Sequence, residues 1–288
     1  GFPRGKVSEV WGPSGAGKTA ICLQIAALAL KRGSSVIWAS SESPFVMGRL
    51  NQVLKSHSID RETTLNKNFH WLPQPTLSHQ LAFVLHSKAS VIPRNTSLLI
   101  FEGVHGLIEQ EYPRYPILTG SEDMRRWKIS RRYAVLNSLV SGLNKLATVT
   151  NTAVVVTTGC ASRARPGGLG PAIVPGVGGR EWDSGIFNRL VLFRDHKGRF
   201  IGLTKCRARS LVPGDGVGAV GKAFCFEFPD DGVVMRERRI GNVQMTAPVP
   251  SPKRARKRFY DEVADSEGEE EEELYGWDED YAVLLAGE

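Results

Sequence analysis

Short apolar runs alternate along the chain with longer stretches in which apolar residues recur every three or four positions. The runs are typical of buried strands, and the recurrences are typical of amphipathic helices. They predict strands at 7–11, 35–39, 69–72, 97–101 and 153–158, and helices at 19–31, 45–55, 77–89 and 124–147. This alternation favours an α/β fold with a mainly parallel central sheet flanked by helices.

The pattern changes beyond residue 186. Apolar runs at 187–194 and 200–207 flank a tight polar turn, and runs at 223–228 and 233–238 flank another, which predicts two C-terminal antiparallel hairpins. Residues 161–182 contain six glycines and three prolines, and we expect no regular element there. Long loops of this kind in a folded domain are usually functional or disordered.

An eight-residue motif follows the first strand and precedes the first helix. It fits the phosphate-binding pattern G-x-x-x-x-G-K-[ST], in which glycines turn backbone N–H groups toward phosphate, the lysine neutralises charge and the hydroxyl ligates Mg²⁺. The following helix directs its positive dipole end at the same phosphates. The motif predicts a nucleotide site formed by Gly12, Pro13, Ser14, Gly15, Ala16, Gly17, Lys18 and Thr19.

Two carboxylates follow strands of the predicted sheet. Glu42 comes shortly after the second strand, and Glu102 comes directly after the apolar run of the fourth. The carboxyl ends of parallel strands form the ligand crevice of such sheets. Glu42 is therefore a candidate to activate a water for attack on a γ-phosphate, with an ordinary loop glutamate as the alternative. Glu102 is predicted to hold Mg²⁺ or its water shell together with Thr19.

The net charge of +7 is unevenly distributed. Residues 251–288 hold five Lys/Arg and thirteen Asp/Glu, a net −8 that leaves +15 on residues 1–250. We expect a folded core at 1–245 and a disordered tail at 246–288, basic at 253–258 and acidic at 261–280. The basic cluster indicates nuclear import, or only a solvated charge run. The acidic residues screen the basic core, dock a partner or are simply solvated.

Several other kinds of site are disfavoured. The four cysteines form no C-x-x-C pair and the six histidines lack ligand spacing, so we expect no structural zinc and no disulfide framework. No apolar run reaches membrane-spanning length, and we expect no membrane partner. A phosphate-binding loop also suits a small-molecule kinase, but such an enzyme has no use for a glycine-rich loop and a strongly basic core.

Ordered segments over residues 1 to about 240 resemble the RecA-like recombinases, specifically the eukaryotic strand-exchange recombinases and their paralogues. The segments are G-K-V-S-E-V-W-G at 5–12, S-S-E-S-P-F at 40–45, R-L at 49–50, and residues 98–102, 153–158 and 178–190. The resemblance implies a RecA-like P-loop ATPase core that binds ATP and Mg²⁺ and acts in homologous recombination and double-strand break repair.

The resemblance also implies roles for single residues. Glu42 matches the glutamate that positions the attacking water, with Lys18 stabilising charge, and Arg49 matches an arginine that stacks on adenine. Glu102 takes the position of an Mg²⁺-linked aspartate, and Gly159 stands where recombinases carry a glutamine that senses the γ-phosphate. These last two departures imply weak ATP hydrolysis or none.

The N-terminal domain and linker through which full recombinases polymerise do not precede the phosphate loop in this sequence, so we expect no filament of this chain alone. These departures are similar to those of the fungal recombination mediators. The resemblance therefore implies a nuclear mediator that pairs with another recombinase-family subunit and helps the main recombinase load on single-stranded DNA. An active DNA-dependent ATPase of strand exchange is the alternative.

Two basic segments are candidates for DNA contact. Five cations in the first turns of the fourth helix oppose its dipole unless an external anion offsets them, and three more lie in 161–182. Pairing with nearby acidic residues is the alternative for the helix, and a flexible insertion for the loop. Neither segment offers a set of base-reading side chains, so binding should be salt-dependent and sequence-independent. The candidates are Arg125, Arg126, Lys128, Arg131, Arg132, Arg163, Arg165 and Arg180.

Overall fold

A sheet of mixed direction forms the centre of the protein. The computed structural model describes residues 1–41, 47–59, 67–87, 89–114, 122–165, 170–195, 198–212, 218–227 and 234–245. Five strands are parallel neighbours in the order β3-β2-β4-β5-β1. They are β1 (Val7–Trp11), β2 (Ser35–Ser40), β3 (Phe69–Pro73), β4 (Thr96–Glu102) and β5 (Ala153–Thr158).

Helices cover both faces of these strands. They are α1 (Lys18–Lys31), α2 (Met47–Ser56), α3 (Leu77–His86), α4 (Val104–Glu111), α5 (Glu122–Thr150) and α6 (Arg180–Gly185), with a 3₁₀ turn at Ala89–Val91. Apolar residues of α1 and α2 pack on one face, and those of α3, α4 and α5 on the other. Because both faces are covered, β1, β2 and β5 are buried at every position.

The C-terminal strands extend the sheet beyond β1. They are β8 (Asn188–Asp195), β9 (Gly198–Cys206), β10 (Arg209–Ser210), β11 (Ala219–Glu227) and β12 (Val234–Gln244). β8 runs parallel to β1, whereas β8, β9, β11 and β12 pair antiparallel in that order. Both predicted C-terminal hairpins and the predicted arrangement of mainly parallel strands with flanking helices are confirmed.

The expectation of no regular element at 161–182 is wrong. β6 (Cys160–Arg163) and β7 (Ala172–Pro175) form an antiparallel pair, which we name the β6–β7 hairpin, and α6 begins at Arg180. A 3.0 Å hydrogen bond from the Gly176 N–H to the Gly159 carbonyl closes the base of the β6–β7 hairpin. Ala172 and Ile173 are buried, and this apolar contact gives the segment the order that its glycine content did not suggest.

The chain divides into two units, Gly1–Ala247 and Pro248–Glu288. Every described residue belongs to the first unit, and the predicted tail at 246–288 lies outside the described residues. Within the described part, no helix is long and apolar enough to cross a membrane.

Candidate functional site

The phosphate-binding motif forms a tight loop between β1 and α1. A Cβ atom at Gly12 would collide with the backbone carbonyl of Leu192 on β8, so only glycine fits there. Gly15 and Gly17 adopt positive φ angles of 72° and 109°, which glycine reaches without steric cost. These two backbone conformations are consistent with the turn that the phosphate-binding pattern requires.

Two cations hold this loop. The Lys18 ammonium donates hydrogen bonds to the carbonyls of Gly12 at 2.8 Å and Pro13 at 2.9 Å. Arg199 on β9 donates to the carbonyl of Gly15 at 2.6 Å. Sequence reasoning missed Arg199, because only the pairing of β9 with β8, and of β8 with β1, brings it over the loop.

The Glu102 carboxylate lies at the end of β4 and is only 8% exposed. It accepts hydrogen bonds from the Thr19 hydroxyl, from Trp38 Nε1 at 2.9 Å and from Ser40 Oγ at 3.5 Å. Mg²⁺ prefers oxygen ligands, and the hydroxyl of Thr19 and the carboxylate of Glu102 supply them beside the loop. The two residues therefore fit the predicted metal role. The Trp38 contact helps to orient the carboxylate.

A cavity of about 760 Å³ opens at this edge of the sheet and is lined by Lys18, Thr19 and Glu102. Arg49 on α2 also lines the cavity, and its Nη1 donates to Gln52 Oε1 at 2.9 Å. Glu42 lies outside the described residues. The sheet register pairs Ser40 with Glu102, so the chain leaves β2 beside the Glu102 carboxylate. The cavity is large enough for a small-molecule ligand.

Two thiols near the cavity are unsuited to nucleophilic chemistry. Burial, with a smaller effect from the Glu102 charge, raises the pKa of Cys22, against the opposing effect of Lys18. Burial also raises the pKa of Cys160 at the start of β6. Since the thiolate is the nucleophile, neither thiol is suited to nucleophilic catalysis in this structure.

Comparison with known proteins agrees with this geometry. A sequence profile of the family named Rad51 matches residues 1–197. The chain belongs to the Rad51 family. Among curated relatives, it is 33% identical to the DNA repair protein rhp55 of Schizosaccharomyces pombe over 159 residues, which are 52% of this chain and 44% of that protein.

A second curated relative matches over a similar length of this chain. The chain is 27% identical to the DNA repair and recombination protein RadA of Aeropyrum pernix over 157 residues, 52% of this chain and 46% of that protein. It therefore spans about half the length of the curated relatives it matches. The crystal structure of the RadB recombinase superposes with a TM-score of 0.58 at 21% identity, covering 81% of this chain and 91% of that one. At this identity the likeness concerns the fold alone.

The candidate DNA-binding cations of this Rad51-family chain differ in exposure on α5. Arg126, Lys128 and Arg131 are exposed, and Arg125 is half-buried. Arg132 is only 5% exposed; it donates to the carbonyl of Tyr112 and, at 2.6 Å, to Glu109 Oε1. Arg132 therefore pairs with a nearby carboxylate, which was the alternative to DNA contact for this helix. It is not one of the exposed cations.

The remaining candidates lie in and after the β6–β7 hairpin. Arg163 and Arg180 are exposed, whereas Arg165 is half-buried and its Nε donates to the Gly170 carbonyl at 3.0 Å. The structure places Arg163 at the end of β6 and Arg180 at the start of α6. Both elements follow β5, whose last residue, Thr158, lines the candidate nucleotide cavity.

A buried ion-pair network supports this edge of the sheet. Glu9, fully buried on β1, accepts from Thr158 Oγ1 at 2.7 Å and from Arg189 Nε at 2.6 Å. Arg189 Nη2 also contacts Asp183 Oδ1 on α6 at 2.6 Å. Burial opposes the charge of Arg189, but the two carboxylates outweigh it and raise its pKa. The network fixes β1, β5 and α6 relative to one another.

Proposed function

We propose that this Rad51-family chain binds ATP, Mg²⁺ and single-stranded DNA and acts as a mediator in homologous recombination and double-strand break repair. The observation that carries the proposal is the meeting of Lys18, Thr19 and Glu102 at one cavity, at the sheet edge from which the basic β6–β7 hairpin departs. In this proposal the protein works in the nucleus, where ATP acts mainly as a conformational switch.

ATP binding is supported by the chemistry of the cavity. The loop N–H groups and Lys18 suit the phosphates, Thr19 and Glu102 suit Mg²⁺, and Arg49 on the cavity wall suits a stack on adenine. Titration with a fluorescent ATP analogue tests this. Lys18→Ala should weaken binding at least about tenfold, since a charge-assisted contact contributes roughly 1.5–3 kcal/mol. Lys31→Ala, at the exposed end of the same helix, is the matched control.

DNA binding is supported by exposed cations on two segments of the chain's basic core. Arg126, Lys128 and Arg131 on α5 and Arg163 on the hairpin can neutralise phosphates without reading bases. Three or four such contacts give log K against log salt a slope of about −2 to −3 for single strands. Equal affinity for oligonucleotides of different sequence is expected, and a strong sequence preference would argue against backbone contact.

A second Rad51-family subunit is the proposed protein partner. β3 is the last strand of the sheet order among the described strands, and its Trp71 is 37% exposed. An edge strand offers backbone groups for pairing with another chain. Sedimentation of the protein with purified Rad51-family subunits should yield a one-to-one complex, which Trp71→Glu weakens. A complex unchanged by Trp71→Glu would move the contact away from β3.

The mediator role itself needs a functional readout. Assembly of a Rad51-family recombinase on a labelled single-stranded oligonucleotide should be faster with this protein present, and Lys18→Ala should remove the effect. Unchanged assembly would contradict mediation even if ATP and DNA both bind.

An active DNA-dependent ATPase of strand exchange is the second candidate. It is favoured by Ser41, which lines the cavity together with Glu102 and directly precedes Glu42 in the sequence. Steady-state ATP hydrolysis with and without single-stranded DNA separates the two. Strong stimulation of ATP hydrolysis by DNA, abolished by Glu42→Ala, would support an active ATPase instead of a nucleotide-dependent switch. Negligible ATP hydrolysis would support the mediator.

A further inference from the structure

His105 lies in the first turn of α4, three residues after Glu102. Its ring lines the candidate nucleotide cavity together with Lys18 and Thr19 and is 22% exposed. Gly103, between Glu102 and the helix, has a positive φ of 78°, and its N–H donates to Thr157 Oγ1 at 3.0 Å. One side of the His105 ring thus faces the cavity.

The other side of the ring touches the base of the β6–β7 hairpin, at the two residues that flank the hairpin in sequence. A Cβ atom at Gly159 would lie well under 3.0 Å from His105 Nδ1, and one at Gly176 would lie 2.7 Å from Nε2. These two glycines are joined by the hydrogen bond that closes the hairpin base. Because side chains at 159 and 176 are absent, the ring packs directly on hairpin backbone. Because no gap separates the ring from the hairpin backbone, a displacement of α4 also displaces the hairpin.

Charged groups hold the ring against the hairpin. His105 Nε2 lies 3.5 Å from Glu109 Oε1, which also accepts from Arg132 on α5. Arg114 donates its N–H to Glu109 and, at 3.4 Å, its Nη2 to the Gly176 carbonyl. Burial, together with Arg132 and Arg114, lowers the pKa of His105 against the opposing charge of Glu109, so the ring packs in its neutral form.

We infer that His105 is a positioning residue that transmits occupancy of the cavity to the β6–β7 hairpin. The inference rests on the proposed binding of ATP in this cavity. A ligand there contacts the Glu102 carboxylate and the first turn of α4 from one side, and the His105 ring passes any shift of that turn to Gly159 and Gly176. Since the hairpin carries Arg163, the DNA-binding segment then responds to nucleotide.

The test measures the access of protease to the hairpin, in the absence of DNA and of ATP hydrolysis. Trypsin cleavage after Arg163 is followed by mass spectrometry with and without a non-hydrolysable ATP analogue and Mg²⁺, each variant being saturated according to its own measured Kd. In the wild type, the analogue should change the cleavage rate about fivefold or more, the lower range of ordinary coupling. In His105→Ala, the change should fall below about twofold.

A double-mutant cycle gives a second, steric readout. Gly159→Ala alone forces a methyl group into the His105 ring and should lower Tm, whereas Gly159→Ala combined with His105→Ala should recover much of that loss. Strict additivity of the two substitutions would overturn the direct contact, because independent sites add. His86→Ala, on the exposed end of α3, is the control for removing a histidine.

The two proposals fail in different ways. No binding of the fluorescent ATP analogue would overturn the ATP site and, with it, this inference. Normal analogue binding with unchanged cleavage after Arg163, or with a full change retained in His105→Ala, would overturn the inference alone.

Discussion

The Thr19 hydroxyl donates a hydrogen bond to the Glu102 carboxylate across 83 positions of sequence. The contact joins the first turn of α1 to the end of β4. It places the two oxygen donors of the candidate metal site side by side, next to the loop that suits phosphate. Trp38 and Ser40 hold the carboxylate from β2, so its position is set by the sheet rather than by a loop.

Glu102→Gln should weaken the Mg²⁺-dependent part of nucleotide binding by about tenfold or more, because it removes the charge while keeping the shape. Titration of a fluorescent ATP analogue with and without Mg²⁺ measures this part. Glu111→Gln, exposed at the end of α4, should leave it unchanged. Equal Mg²⁺ dependence in the wild type and in Glu102→Gln would remove Glu102 from the metal site.

Gly12→Ala should abolish nucleotide binding and lower Tm. The added methyl meets the Leu192 carbonyl at a φ of 150°, so the loop must shift away from β8. Gly48→Ala is the matched control, since a Cβ there meets open space on α2 and alanine favours a helix by about 1 kcal/mol. A Gly12→Ala protein with normal affinity and Tm would contradict the close approach of loop and strand.

Arg131 and Arg132 are neighbours with opposite expected effects. Arg132→Ala should lower the free energy of unfolding by roughly 2 kcal/mol, because it leaves Glu109 and the Tyr112 carbonyl without a charged donor. Arg131→Ala should leave stability within about 0.5 kcal/mol and reduce the salt slope of DNA binding by about 1. Urea unfolding and oligonucleotide titration measure the two effects. The reverse outcome would mean that Arg132, not Arg131, faces the DNA.

Much of the fold follows from sequence because its signals are local. The predicted strands 7–11 and 153–158 coincide with β1 and β5. Residues 153–158 form a continuous apolar and β-branched run, and residues 7–11 directly precede the phosphate-binding motif, so both have a clear local signal. The helix predicted at 77–89 ends earlier, at His86, because Ser87 is extended and a 3₁₀ turn follows. The β6–β7 hairpin was missed, because backbone pairing orders a segment whose composition indicates a loop.

The site could be predicted only in part. The phosphate loop and Glu102 have motif and strand-end signals, whereas Arg199 and the contact of His105 with Gly159 depend on tertiary structure. The burial of Arg132 could have been predicted from the spacing of apolar residues in the sequence. Leu136, Leu139 and Leu143 lie at helical spacing from it, so position 132 continues the buried stripe of α5.

Stability should depend on His105 below neutral pH. The folded state holds the pKa of His105 below its ordinary value of 6.5, so as pH falls below that value the unfolded chain takes up the proton first and stability is lost. Urea unfolding between pH 7 and 5 should therefore show a steeper loss for the wild type than for His105→Asn. Parallel curves for the two proteins would show that the ring is not held neutral.

We expect nucleotide and single-stranded DNA to bind at one sheet edge of this Rad51-family core. Titration of a labelled single-stranded oligonucleotide across a salt series, with and without ATP and Mg²⁺, measures whether both bind and whether they are coupled. Binding should be salt-sensitive with a slope of about −2 to −3, and the affinity should change when nucleotide is added. Absence of binding at low salt in both conditions would contradict this expectation.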